Sequence, residues 1–124
     1  MTCIPSLKKN KDFRFVYQNG RSFANRTLVM IVLENGTEEN RVGISVSKKI
    51  GNSVVRHRIT RLIRESYRLN ENRFVGGLDI VVIARPGAKG KGFPEIESAL
   101  LHLARHHKIL RNEETMKDPK QNDK

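Results

Sequence analysis

The chain has 124 residues, with 24 Lys and Arg against 13 Asp and Glu and a formal net charge of +11 at pH 7. That length suits one domain with one core, and so large a same-sign excess in so small a volume points to a polyanionic partner, nucleic acid ahead of an anionic membrane. The single cysteine, Cys3, argues against a disulfide framework or a cysteine-based zinc site and for a reducing, cytoplasmic setting. No apolar run approaches the roughly 20 residues of a membrane helix, and the first residues lack the apolar segment of a secretory signal.

In chain order, Asn10 is suited to cap a helix over residues 11–19, with Asp12 in its first turn, apolar positions at Phe13, Phe15, Val16 and Tyr17, and Gly20 closing it. The β-rich run 27–34 ends in Asn35-Gly36 and is followed by 41–47, which predicts an antiparallel hairpin. Within 41–47, Val42, Ile44 and Val46 alternate with Gly43, Ser45 and Ser47. One face therefore enters the core and the other presents small groups that let a ligand approach the backbone.

The strongest helical pattern covers residues 53–70. At 100° per residue Val55, Ile59, Leu62, Ser66 and Leu69 share one arc with Ile63 at its edge, and His57, Arg61, Arg64 and Arg68 share the opposite arc. Arg61 and Glu65 stand at i, i+4 and predict an ion pair. After Gly76-Gly77, the continuous apolar run 78–84 reads as a strand buried on both faces. The stretch 87–92 reads as a flexible cationic loop. Pro94 then opens a last helix to about residue 110, with Ile96, Leu100, Leu103 and Leu110 inward. Residues 1–111 form the single domain, and 112–124 read as a disordered polar tail.

Signatures of a protein-borne active site are scarce. The acids show no paired spacing suited to two-metal hydrolysis, Gly90-Lys91 is followed by Gly92 rather than the Ser or Thr of a phosphate loop, and His102 and His106 at i, i+4 lack the partners of a zinc site. The charge is more informative. Residues 48–73 hold eight Lys and Arg against two acids, a second cationic block after 1–26. Most of those arginines have no acid within reach along the helix, and their planar forks suit phosphates and bases. Phe13 and Tyr17, beside Lys8, Lys9, Lys11 and Arg14, are open to two readings, core packing or a stacking platform for unpaired nucleotides. The residues alone favour core packing.

The block RVGISVSKKIGNSVVRHRITRLIRESYR, residues 41–68, closely resembles the signature of the bacterial ribonuclease P protein family: a strand, SKK-x-GNAV-x-RNR, then a basic helix. Residues 7–26 and 79–88 resemble the family's N-terminal helix and last strand, in family order. The resemblance implies an α/β (α+β) two-layer sandwich of order α-β-β-(β)-α-β-α with a left-handed β-α-β crossover, against the general right-handed preference.

The resemblance also implies a role as protein subunit of ribonuclease P, which trims the 5′ leader from precursor tRNA. In that scheme a catalytic RNA carries the cleavage with Mg²⁺, bound mainly by the RNA. The protein binds that RNA and the leader, with no membrane or small-molecule partner. Carried over by position, Phe13, Tyr17, Ser45, Ser47, Lys48 and Lys49 would form the leader cleft, which reverses the reading of the two aromatics. Asn52, Arg56, His57, Arg58, Arg61, Arg64 and Arg68 would meet RNA along the basic helix.

Two residues depart from the family pattern. His57 stands where Asn is usual, exchanging an amide for an imidazole whose charge depends on pH, and Ile31 stands where an aromatic is common, which removes one stacking surface. The competing readings are a structural RNA-binding protein of related fold and a self-sufficient nuclease, the latter opposed by the sparse acids.

Overall fold

A computed structural model describes residues 10–111; the predicted tail 112–124 and the residues before Asn10 lie outside the described residues. The elements are α1 (Asn10–Asn19), β1 (Arg21–Ala24), β2 (Leu28–Glu34), β3 (Arg41–Ser45), α2 (Ser53–Asn70), β4 (Leu78–Ala84) and α3 (Phe93–His107). Their order is α-β-β-β-α-β-α. Helix α3 stops three residues short of Leu110, which is buried through an isolated bridge to Phe74.

The sheet order is β1-β2-β4-β3. The expected hairpin of residues 27–34 with 41–47 is therefore not formed. Strand β4 inserts between the two, antiparallel to β2 and parallel to β3. The physical reason is burial: β4 is apolar on both faces, and a central position covers both edges and both faces of such a strand. The hairpin that does form is β1 with β2. It is pinned by Asn25, whose side-chain oxygen accepts from the backbone N–H groups of Thr27 and Leu28 at 3.0 and 2.8 Å.

Period-two alternation divides the sheet's two faces. Leu28, Met30, Val32, Val42, Ile80 and Val82 meet Ile59 and Ile63 of α2 and Ile96, Leu100 and Leu103 of α3 in one continuous core. On the opposite face, Ile31 and Val81 with Val16 of α1 form a small second cluster. The sheet with α2 and α3 thus makes the two main layers, and α1 crosses the other face against β2 and β4.

Gly20 is required by this crossing. A Cβ there would lie 2.8 Å from the Val16 carbonyl oxygen and 2.9 Å from Ile31 Cγ2.

The buried arc of α2 is rotated from the expected one. Ile63, placed at the edge by periodicity, is fully buried, whereas Leu69 is 53% exposed. Two polar side chains turn inward with partners and pull the helix round. The Tyr67 hydroxyl accepts from Asn40 at 3.2 Å, and Asn70 donates to the Ser66 carbonyl at 2.8 Å and to Glu97 at 2.9 Å. Glu65 pairs with Arg68 rather than Arg61, so the i, i+4 expectation gives way to an i, i+3 pair.

Candidate nucleic-acid interface

The register fixes the open side of the sheet. On the α1 face, Ala24, Val29, Ile83 and Ser45 form one row across β1, β2, β4 and β3, and Ile31, Val81 and Gly43 lie in the next. Phe13, with Val29, Leu33 and Ile83, packs against the buried cluster of Val16, Ile31 and Val81. Its ring meets that of Tyr17 edge-on at 6.3 Å, and Tyr17 is 44% exposed. Phe13 is thus half-buried, Tyr17 is accessible, and Ser45 continues the Val29 and Ile83 row. Phe15, on the outer side of α1, is exposed and takes no part in the second cluster.

Ser47 does not sit on the strand, which ends at Ser45. Its hydroxyl instead accepts from the Lys49 N–H at 3.0 Å, and its carbonyl accepts from the Ile50 N–H at 3.0 Å. The result is a tight turn that holds Lys48 and Lys49 exposed just past the small-residue end of β3. Ile31 is 7% exposed beneath α1. In this chain that position closes the second cluster.

Helix α2 begins directly after this turn. Asn52 caps it, its side-chain oxygen accepting from the Val55 N–H at 3.0 Å, and no acid occupies the first turn. The sequence-selected arginines then separate by what they hold. Arg56 is half-buried and donates to the Gly51 carbonyl at 3.2 Å. Arg58 donates to the Lys91 carbonyl at 2.9 Å, tying α2 to the segment before α3. Arg68 is engaged by Glu65, whose carboxyl it holds below the usual range. His57, Arg61 and Arg64 are exposed, and neither Arg61 nor Arg64 has a hydrogen-bond or ion-pair partner among the described residues.

Three features escaped the sequence. Arg41 makes a two-pronged pair with Asp79, at 2.9 and 2.7 Å, and Asn35 donates to the same carboxylate at 2.9 Å. Burial pushes the Asp79 carboxyl up, but those hydrogen bonds and the Arg41 charge outweigh it and hold the group below its ordinary value. The sole signal was an acid inside an apolar run. His107 is buried with Nε2 2.9 Å from the Met30 carbonyl oxygen, to which it donates, while Nδ1 has no partner among the described residues. Finally, Val54 stands 75% exposed on the cationic arc of α2. It lies seven residues before Arg61 and so on the same side of the helix.

Among the described residues no three His, Cys, Asp or Glu side chains are grouped to hold a metal ion, and no helix is long and apolar enough to cross a membrane.

The fold and site define a small basic α+β domain with two aromatic side chains of α1 beside one sheet face and a cationic helix outside the other. The sequence profile of the family described as Ribonuclease P matches residues 4–108. The chain is 62% identical over 109 residues to the ribonuclease P protein component of Lachnoclostridium phytofermentans, covering 88% of this chain and 94% of that one. It is 48% identical over 123 residues to the component of Clostridium beijerinckii, covering 94% and 98%.

Among solved structures, the RNase P protein of Staphylococcus aureus superposes with a TM-score of 0.80 at 38% identity, over 88% of this chain and all of that one. That of Thermotoga maritima gives 0.76 at 30%, over 82% and 96%. The chain belongs to the ribonuclease P protein family, which places it in the ribonuclease P holoenzyme and in tRNA processing.

Proposed function

We propose that the chain binds the RNA subunit of ribonuclease P through the outer face of α2 and the 5′ leader of precursor tRNA through the cleft between α1 and the sheet. Cleavage itself is carried by the RNA with Mg²⁺ in the cytoplasm. The observation that carries this reading is the split of one small sheet into a packed face and an open one. Phe13 and Tyr17 wall the open face, Ser45 thins it, and Lys48 and Lys49 stand at its end.

An unpaired strand can stack a base on an aromatic ring while its phosphates meet lysines, with modest dependence on sequence. Arg61 and Arg64, exposed on a rigid helix, suit the backbone of a folded RNA. In this reading Mg²⁺ is bound mainly by the RNA, and the protein supplies charge and shape to that partner.

The test is the affinity of the reconstituted holoenzyme for precursor tRNA and for mature tRNA lacking the leader. Tighter binding of the precursor, lost on Tyr17→Ala, is expected. Equal binding of both tRNAs by the native protein would assign it to RNA scaffolding without leader contact.

A further inference from the structure

A solvent-open groove of about 800 Å³ runs between the first three turns of α2 and the start of α3. Its apolar surface comes from Val54, Leu62 and Phe93, its cationic surface from Arg58 and Arg61, and His57 adds an imidazole. Glu65, the one acid on its wall, is already engaged by Arg68. We infer that this groove receives a single unpaired base of the RNA subunit, stacked on Phe93 and Val54, with the flanking phosphates held by Arg61 and His57. This inference rests on the RNA-binding reading of α2 and adds Phe93, outside the basic motif, and Val54, the apolar residue within it, as the residues that select an unstacked nucleotide over a duplex.

Three observations lead there. Val54, three-quarters exposed, joins Leu62 and Phe93 in one apolar lining flanked by Arg58 and Arg61, so apolar and cationic surface meet in one groove. The Phe93 ring stands on a stiff support: the Gly92 N–H donates to the Glu95 carboxylate at 3.0 Å, and Pro94 occupies the first turn. The Arg58 bond to the Lys91 carbonyl holds the two walls at a fixed separation, so the groove is formed before any ligand arrives. Duplex RNA presents phosphates and a shallow minor groove to a protein, whereas an apolar slot with an aromatic wall and a cationic rim fits an unstacked base.

The chain contains no tryptophan, so Phe93→Trp in the full-length protein places a sole indole at the wall. Titration with the cognate RNA subunit, with binding read independently by filter retention, should quench that indole in step with binding. Affinity should match the native protein for Phe93→Trp and fall about tenfold for Phe93→Leu, which keeps apolar bulk but loses the stacking face. Native-like RNA binding with unchanged indole emission overturns the inference, even if Phe93→Leu fails to fold, and so does native affinity in Phe93→Leu. Quenching by an acidic peptide but not by RNA also overturns it and gives the groove to a protein partner. If the native chain does not bind the RNA subunit at all, the RNA-binding reading of α2 fails and this inference falls with it.

Discussion

The two faces of the sheet are built from the same strands and are put to opposite use. Toward α2 and α3, alternate residues join a continuous core that runs from Leu28 to Leu110. Toward α1, only a small cluster of Val16, Ile31 and Val81 forms among the described residues, and Val29, Ile83 and Ser45 stay half-buried. One side supplies the stability that allows the other to remain uncovered, and a ligand site on a sheet is kept open by what the opposite layer contributes.

The largest expected effect sharpens that contrast. Ile63→Ala removes a fully buried side chain between α2 and the sheet and should cost about 2–5 kcal/mol in urea unfolding. On the α1 face, Phe13→Leu should cost less than about 1.5 kcal/mol of stability while weakening leader binding by about 1–3 kcal/mol, measured with leader oligonucleotides of fixed length. Comparable stability losses at the two positions would break the division between packed and open faces.

A third, smaller effect concerns the outer surface of α2. Arg61→Ala and Arg64→Ala should each leave unfolding within about 0.5 kcal/mol of native. Each should also flatten the slope of log K against log salt concentration for RNA binding by roughly 0.7–0.9. Arg68→Ala should flatten it less, because Glu65 already neutralises that guanidinium.

The smallest effect is a pH response on the packed side. Burial pushes the His107 imidazole below its ordinary value, and Arg21 and His106 add to this, against the hydrogen bond to the Met30 carbonyl. A neutral His107 in the fold and a protonated one in the unfolded chain mean that stability is full above the ordinary histidine value of about 6.5 and declines as the pH falls below it. Urea midpoints between pH 7.5 and 5.5 should show this decline. They should show less of it in His107→Gln, whose amide can still donate to Met30 without titrating.

What the sequence revealed and what it hid follow from the range of the interactions. Helix α2 was legible with its boundaries, because Asn52, the cationic arc and Ile59 act within a few residues of one another. The small face of Gly43 and Ser45 was legible from alternation alone. Strand neighbours were not, since alternation states which face a side chain takes and not which strand lies beside it. The adjacency of residues 27–34 and 41–47 suggested a hairpin that β4, far along the chain, displaces.

The inward turn of Tyr67 and Asn70 was hidden for the same reason, as their partners Asn40 and Glu97 lie 27 residues away in each case. Strand β1, four residues long and mostly exposed, carried no apolar signal. At the site, Phe13 and Tyr17 were read as a cleft only through the family resemblance. Val54 and Phe93 were missed because their groove is made by two helices that meet only in the fold.

The most direct measurement compares cleavage of precursor tRNA, at low millimolar Mg²⁺, by the RNA subunit alone, by this protein alone and by both together. Cleavage at the 5′ end of the mature tRNA in the combined sample only is the predicted result, with the protein supplying binding and the RNA the chemistry. Cleavage by the protein alone, or no stimulation of the RNA at any salt concentration, would contradict it.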